Sequence, residues 1–184
     1  MGYVFIGGIP CAGKSYLAEK IAKENGMIHV NPDFLREEME KDKNLEPWVN
    51  FFRNLDEEKY LESTTAEKHW ENIRKQSEAF WPLLLEKIES VRKNNQFVIF
   101  ETENILPHLA LRDLDFPGVY LLGESVETIF ERNKLSPRWG STEDLQRKEA
   151  EMFFDWVRPI LQKEAEDYGY KTFSNAEEAE KEIL

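Results

Sequence analysis

The run Gly8-Ile9-Pro10-Cys11-Ala12-Gly13-Lys14-Ser15 constrains the fold more than any other part of the chain, because it meets the pattern G-x-x-x-x-G-K-[ST] at every fixed position. Tyr3-Val4-Phe5-Ile6 ahead of it is an apolar run of β-branched and aromatic residues, and the segment from Tyr16 to Ala22 has helical periodicity. Strand, loop and helix therefore follow one another in the order a phosphate-binding loop requires. In such a loop, backbone N–H groups turn inward around an anion and the helix adds the positive end of its dipole. Gly8, Pro10, Cys11, Ala12, Gly13 and Tyr16 are the candidate cradle. Lys14 is placed to span the outer phosphates and the Ser15 hydroxyl to ligate Mg²⁺. A nucleoside triphosphate is the expected ligand.

The remaining bulk properties narrow the class. A chain of 184 residues buries a full core without staples, and its single cysteine, Cys11, cannot form an internal disulfide. Met1 runs straight into the first strand with no leader, and no apolar run approaches the roughly 20 residues that span a bilayer. A cytoplasmic location without membrane attachment is expected. The net charge of −12 argues against a surface that wraps nucleic acid, since that affinity comes mostly from Lys and Arg at phosphates. A small basic pocket is still compatible with it.

Strand-like and helix-like segments alternate along the chain, which predicts a parallel sheet covered on both faces. Met27–Val30, Phe97–Phe100, Val119–Leu122 and Tyr170–Phe173 are the further strands. Helices are expected from about Pro32, Ser125 and Thr142, and from Asn175 to the C-terminus. The stretch from about 44 to 95 exceeds what a crossover needs and reads as an inserted helical cap. Thr64-x-x-Glu67 resembles a capping box, and Trp70, Ile73, Ser77, Phe80, Leu84, Ile88 and Val91 follow at helical spacing. Pro82 is expected to kink that helix or divide it. The cap's aromatic residues read as helix-face core packing in preference to base stacking. His29, His69 and His108 are dispersed and read as structural.

The phosphate loop, Asn31-Pro32-Asp33-Phe34-Leu35-Arg36 and Arg132-Asn133-Lys134-Leu135-Ser136-Pro137-Arg138 together resemble the small P-loop kinases of the nucleoside-monophosphate-kinase type. Within these the chain is most similar to the bacteriophage polynucleotide 5′-hydroxyl kinases, densely at these stations and loosely between residues 3 and 155. The resemblance implies one three-layer α/β domain over residues 1–184, with a five-stranded parallel sheet in the order 2-3-1-4-5 and a lid at about 132–142. It also implies ATP and Mg²⁺ as ligands and a hydroxyl as the acceptor.

Residue roles follow from the same resemblance. Asp33 takes or orients the acceptor's proton and Arg36 holds an anionic group of the acceptor, although Asp33 also suits a helix cap. Arg132 and Arg138 belong to the lid, where they neutralise charge on the transferring phosphoryl or lie on adenine; the competing reading is a solvated helix end. The strand-three end, Phe100-Glu101-Thr102-Glu103-Asn104, departs from the family's Asp-Thr-Asn. The family's aspartate falls on Thr102, so both Glu101 and Glu103 are candidates for acceptor binding, with Glu101 also a water-mediated Mg²⁺ contact, while Asn104 matches. Ser174 and Asn175 are expected along the adenine ring. The acceptor is read as a small, anionic metabolite or nucleotide. A polynucleotide 5′ end and a regulatory module that binds ATP without transfer are the alternatives.

Overall fold

The computed structural model describes residues 2–184, apart from the side chains of Asp33 and Phe34. Five short strands, β1 (Tyr3–Gly8), β2 (Ile28–Val30), β3 (Val98–Glu101), β4 (Gly118–Leu121) and β5 (Lys171–Phe173), form one sheet in the order β2-β3-β1-β4-β5. All four pairings are parallel, as the alternating pattern predicts. The central strand β1 is flanked on both sides, with Ile6 opposite Glu101 on β3 and Val119 on β4. Phe5, Ile6, Val98, Ile99 and Phe100 are almost fully buried, which explains why these strands read as continuous apolar runs.

The helices are α1 (Lys14–Asn25), α2 (Arg36–Met39), α3 (Glu46–Val49), α4 (Glu57–Ser63), α5 (Ala66–Asn94), α6 (Pro107–Asp113), α7 (Val126–Leu135), α8 (Glu143–Glu151), α9 (Arg158–Asp167) and α10 (Ala176–Ile183). A 3₁₀ turn, Pro32–Leu35, leads into α2, and a π-helical stretch, Met152–Val157, joins α8 to α9. Helices α1 and α10 pack together beside the sheet, while α5, α6 and α9 form a second group. The result is the three-layer α/β architecture expected from the sequence. Because every strand points the same way, the ends at Gly8, Val30, Glu101, Leu121 and Phe173 lie at one edge of the sheet, where parallel α/β folds place their ligands.

Two local expectations are sharpened. Of the two outcomes expected at Pro82, a kink or a division, division does not occur: α5 runs unbroken for 29 residues. Its ring is exposed, and Phe80, Trp81, Leu84 and Ile88 anchor the helix to the interior on both sides of it. The burial of those anchors outweighs the loss of one intrahelical hydrogen bond. The N-cap of α5 is Thr65, whose hydroxyl accepts the Lys68 N–H at 3.3 Å, and so lies one residue beyond the Thr64 of the sequence reading. Among the described residues, no helix is long and apolar enough to cross a membrane.

Candidate active site

The loop between β1 and α1 is shaped by its glycines. Gly8 has φ +137°, and a Cβ there would lie 2.1 Å from the Leu121 carbonyl oxygen. Gly13 sits at φ +101° as the N-cap of α1. Non-glycine residues rarely adopt these angles, so the backbone path requires glycine at both positions. Cys11 also takes a left-handed conformation, at φ +57°, and burial pushes its thiol pKa up against the lowering effect of Arg138 and Lys14.

The start of α1 differs from those of α4, α5, α7, α8 and α10. Asp56, Thr65, Ser125, Thr142 and Asn175 each accept a backbone N–H at the N-terminus of their own helix, and each of those helices carries an acidic residue in its first turn. Helix α1 has neither a side-chain cap nor a first-turn acid. Its leading N–H groups and dipole are left for an external anion.

Lys14 is buried, and its Nζ donates to the Ile9 carbonyl at 2.7 Å. Burial lowers its pKa, while the carboxylates of Glu103 and Glu101 oppose that shift. The Ser15 hydroxyl donates to Glu101 Oε2 at 3.1 Å, and the Asn31 amide donates to the same oxygen at 2.9 Å. His29 Nε2 lies 3.5 Å from it. Burial alone would raise the Glu101 carboxyl, but the His29 ring, the Lys14 charge and the Ser15 hydroxyl outweigh it and hold the pKa below the ordinary value. An ionised carboxylate thus stands against the serine of the loop, at the C-terminal end of β3.

Glu103, two residues on, is engaged differently. Its Oε1 accepts from Arg138 Nη2 at 2.6 Å. Beta alternation cannot separate the two glutamates, because Glu103 lies past the strand end in the following turn. Arg132 is on the last turn of α7, so the expected lid begins as helix and becomes irregular only after Leu135. Its Nη1 reaches across to the Cys11 carbonyl at 3.2 Å. Arg138 is fixed through its backbone, whose N–H donates to the fully buried Asn133 side chain at 3.2 Å. Asn133 in turn donates to Glu149 Oε2 at 2.6 Å.

Two cavities meet at this cluster. One, of about 240 Å³, is lined by the loop residues Cys11 to Tyr16 with the exception of Ala12, and by Asn31, Glu101, Arg132 and Arg138 among others. The other, of about 140 Å³, begins at Gly8, Ile9 and Pro10 and extends beneath the cap, past Arg36, Phe52, Arg53, Trp70, Asn104 and Trp139. Glu103 and Arg138 line both. The structure therefore brings together Lys14, Ser15, Glu101, Glu103, Arg132 and Arg138, with Arg36 and Asn104 in the adjoining cavity. Asp33 lies in the 3₁₀ turn between Asn31 and Arg36, with its side chain outside the described residues. Ser174 and Asn175 line neither cavity: Ser174 is 3.5 Å from Arg158 Nη2 and Asn175 caps α10.

Sequence reasoning missed several residues of the second cavity. Phe52 and Trp70 were expected as core packing but line its wall, as do His69 and Trp139. Tyr60 packs behind them, 5.8 Å from Trp139 between ring centroids. Arg53 also contributes, and its place directly after Phe51-Phe52 was the available signal. Behind the lid, burial and the neighbouring Glu149 push the Glu57 carboxyl up to about 7.

The donor set suits a polyphosphate with a divalent cation. It combines an uncapped helix end, one buried lysine, two arginines at the rim and one serine–carboxylate pair.

No family model matches the chain, and no curated protein matches it in sequence. Solved structures do match in fold. Shikimate kinase from Bacteroides thetaiotaomicron aligns at a TM-score of 0.53 and 17% identity, over 99% of this chain and 96% of that one. Shikimate kinase from Acinetobacter baumannii, in complex with shikimate, aligns at 0.50 and 16%, over 100% and 91%. Deoxyadenosine kinase from M. mycoides, with bound dATP, aligns at 0.50 and 16%, over 100% and 97%. The chain has the fold of the small P-loop kinases.

Proposed function

We propose that this chain is an ATP- and Mg²⁺-dependent kinase that transfers the γ-phosphoryl group to a hydroxyl of a small, anionic acceptor. The observation that carries the reading is the junction of two cavities at Glu103 and Arg138, one built on the phosphate loop and the other beneath the cap. A donor phosphate in the first and a hydroxyl in the second would meet there. The kinases of the same fold act on small hydroxyl-bearing molecules, which agrees with the reading.

The protein's work in such a transfer is positioning and neutralisation. The N–H groups at the start of α1 and the Lys14 ammonium hold the phosphate chain. Ser15, backed by Glu101, would hold the cation, with Glu101 as a water-mediated contact. When bound, Mg²⁺ shields charge on the phosphate oxygens. Arg132 and Arg138 close over the transferring group, and Arg138 exchanges its pairing with Glu103 for the phosphoryl oxygens. Asp33 accepts the acceptor's proton or orients its hydroxyl, and Arg36 binds the acceptor's anionic group.

A screen of hydroxyl acceptors, from metabolites to 5′-hydroxyl oligonucleotides, for acceptor-dependent ADP release tests the proposal. The expected result is turnover with a small acceptor that Lys14→Ala abolishes while the fold persists. Nucleotide binding with no acceptor-dependent release would support the regulatory-module alternative. Turnover with oligonucleotides that falls steeply with salt, by about 0.7 in log affinity per neutralised phosphate, would support a polynucleotide 5′ end.

A further inference from the structure

The cavity beneath the cap has an unusual wall for a site that takes a hydroxylated molecule. Trp70 and Ile73 of α5 face it together with Met152, Phe153, Val157 and Leu161. Three of the last four belong to the π-helical stretch, where the Arg158 N–H closes on the Phe153 carbonyl five residues back. Pro159 explains the wider turn: it has no N–H to give, and its ring would strike the carbonyl four residues earlier in a regular α-helix. Such π turns recur at functional positions. Here the turn supplies apolar side chains to a cavity of about 140 Å³, room on the scale of a single benzene ring.

Most polar groups around this cavity already have partners within the protein. Gln76 Nε2 donates to the Trp48 carbonyl at 2.7 Å, and Asn104 Oδ1 accepts from Ser77 Oγ at 3.1 Å. Glu103 is paired with Arg138, and Glu149 accepts from Asn133 through Oε2 while its Oε1 is buried with no hydrogen-bond partner. The Tyr60 hydroxyl accepts from Asn72 Nδ2 at 3.2 Å and shares a hydrogen bond with His69 Nδ1 at 2.8 Å, whose direction follows the imidazole tautomer. His69 Nε2 is a buried atom with no hydrogen-bond partner. Burial keeps the ring neutral, with its pKa lowered to about 4. Of the cations, Arg53 is exposed and only loosely paired, 3.8 Å from Glu40, and Arg36 lines the same cavity.

We infer that the acceptor is an amphipathic hydroxy acid: an apolar, ring-sized body carrying one anionic group and the reacting hydroxyl, and not a polyhydroxylated acid. The inference rests on the reading of this cavity as the acceptor side of a phosphoryl transfer. Each additional hydroxyl set against Trp70, Ile73, Met152 or Phe153 would lose its water and find no partner, a loss of about fivefold to a hundredfold in affinity. A methylene in the same place gains from burial. The anionic group selects Arg36 and Arg53, and the unpartnered His69 Nε2 suits a single polar group on the ring.

A matched pair of ligands tests this. Hydroxycyclohexanecarboxylate and hydroxymethylbenzoate are compared with shikimate and gluconate, first by calorimetry and tryptophan fluorescence without nucleotide, then as acceptors with MgATP. The apolar acids are expected to bind about 100-fold more tightly, to lose about tenfold or more as methyl esters, and to lose a similar factor in Arg53→Ala. Ile73→Asn is expected to narrow the gap between the two sets. Should that variant fail to fold, the ligand comparison on the unaltered protein still decides. Equal or tighter binding of shikimate or gluconate, or binding of neither set, overturns the inference. Tight binding of the apolar acids without phosphorylation would uphold the cavity's preference for such a ligand and overturn its reading as an acceptor site, whereas phosphorylation of gluconate or shikimate alone would uphold the kinase reading and overturn the inference.

Discussion

Glu101→Gln is the substitution that most sharply separates the two strand-end glutamates. The Glu101 carboxylate accepts from Ser15 at 3.1 Å and from Asn31 at 2.9 Å, at the position where the loop serine would hold Mg²⁺. A glutamine keeps the shape and one acceptor oxygen, so the two neutral hydrogen bonds largely survive and the stability loss is expected to stay under about 2 kcal/mol. The negative charge behind the serine and its water-mediated hold on the cation are lost. Hydrogen-bonding partners one layer out from a metal typically contribute about 10- to 100-fold in metal affinity, or about 1.4 to 2.7 kcal/mol. The Mg²⁺ concentration for half-maximal transfer, measured at saturating ATP, is therefore expected to rise 10- to 100-fold, and Mg²⁺-dependent nucleotide binding by calorimetry should shift in step. Glu103→Gln, which loosens Arg138 instead, is expected to lower the maximal rate and leave the Mg²⁺ midpoint within about twofold. An unchanged midpoint in Glu101→Gln beside a shifted one in Glu103→Gln would refute the assignment.

Arg138→Ala and Arg132→Ala are each expected to reduce transfer by about 10³-fold, as loss of a charge-neutralising arginine does, with less than about 1 kcal/mol lost in urea unfolding because both side chains are largely exposed. Equal activity in both variants would remove them from the site. Gly8→Ala is expected to destabilise by at least about 3 kcal/mol, since its Cβ would meet the Leu121 carbonyl at 2.1 Å and its φ of +137° suits only glycine; a melting temperature near that of the parent would contradict this. The Glu57 carboxyl titrates near 7 in the fold against 4.5 for an ordinary glutamate, so the folded state binds its proton more tightly. Its contribution is full below about pH 4.5 and is lost as pH rises through 7. Glu57→Gln should accordingly gain about 1 to 3 kcal/mol at about pH 8 and little at about pH 4, and a gain independent of pH would exclude the buried-acid explanation.

The fold was legible because its signals are local. Each strand is a short apolar run bounded by turn residues, and the helices between make the strands parallel, while the strand order followed from the resemblance to the P-loop kinases. The phosphate loop was legible for the same reason, as eight contiguous residues carry both the backbone geometry and the chemistry. The cavity beneath the cap was not. Arg53, His69, Trp139 and Met152 come from four separate elements or connections, and only tertiary packing brings them to one wall. Trp70 shares the helical periodicity of true core residues such as Phe80 and Leu84, so periodicity alone cannot tell a cavity wall from a core. That α5 continues through Pro82 was not legible either, because the anchors on both sides of it are buried only in the packed fold. Nor does charge pattern distinguish Glu101 from Glu103, whose partners Ser15 and Arg138 are 86 and 35 residues away.

Joining a donor cavity and an acceptor cavity at Glu103 and Arg138 makes one demand that neither nucleotide binding nor slow hydrolysis satisfies. ATP labelled in its γ-phosphoryl group, incubated with Mg²⁺, the protein and an acceptor found in the screen, must deliver the label to the acceptor's hydroxyl oxygen in one-to-one ratio with ADP. Recovery of the label on the acceptor, abolished in Lys14→Ala, is the expected result. Label found only in inorganic phosphate, at a rate that the acceptor does not change, would contradict direct transfer between the two cavities.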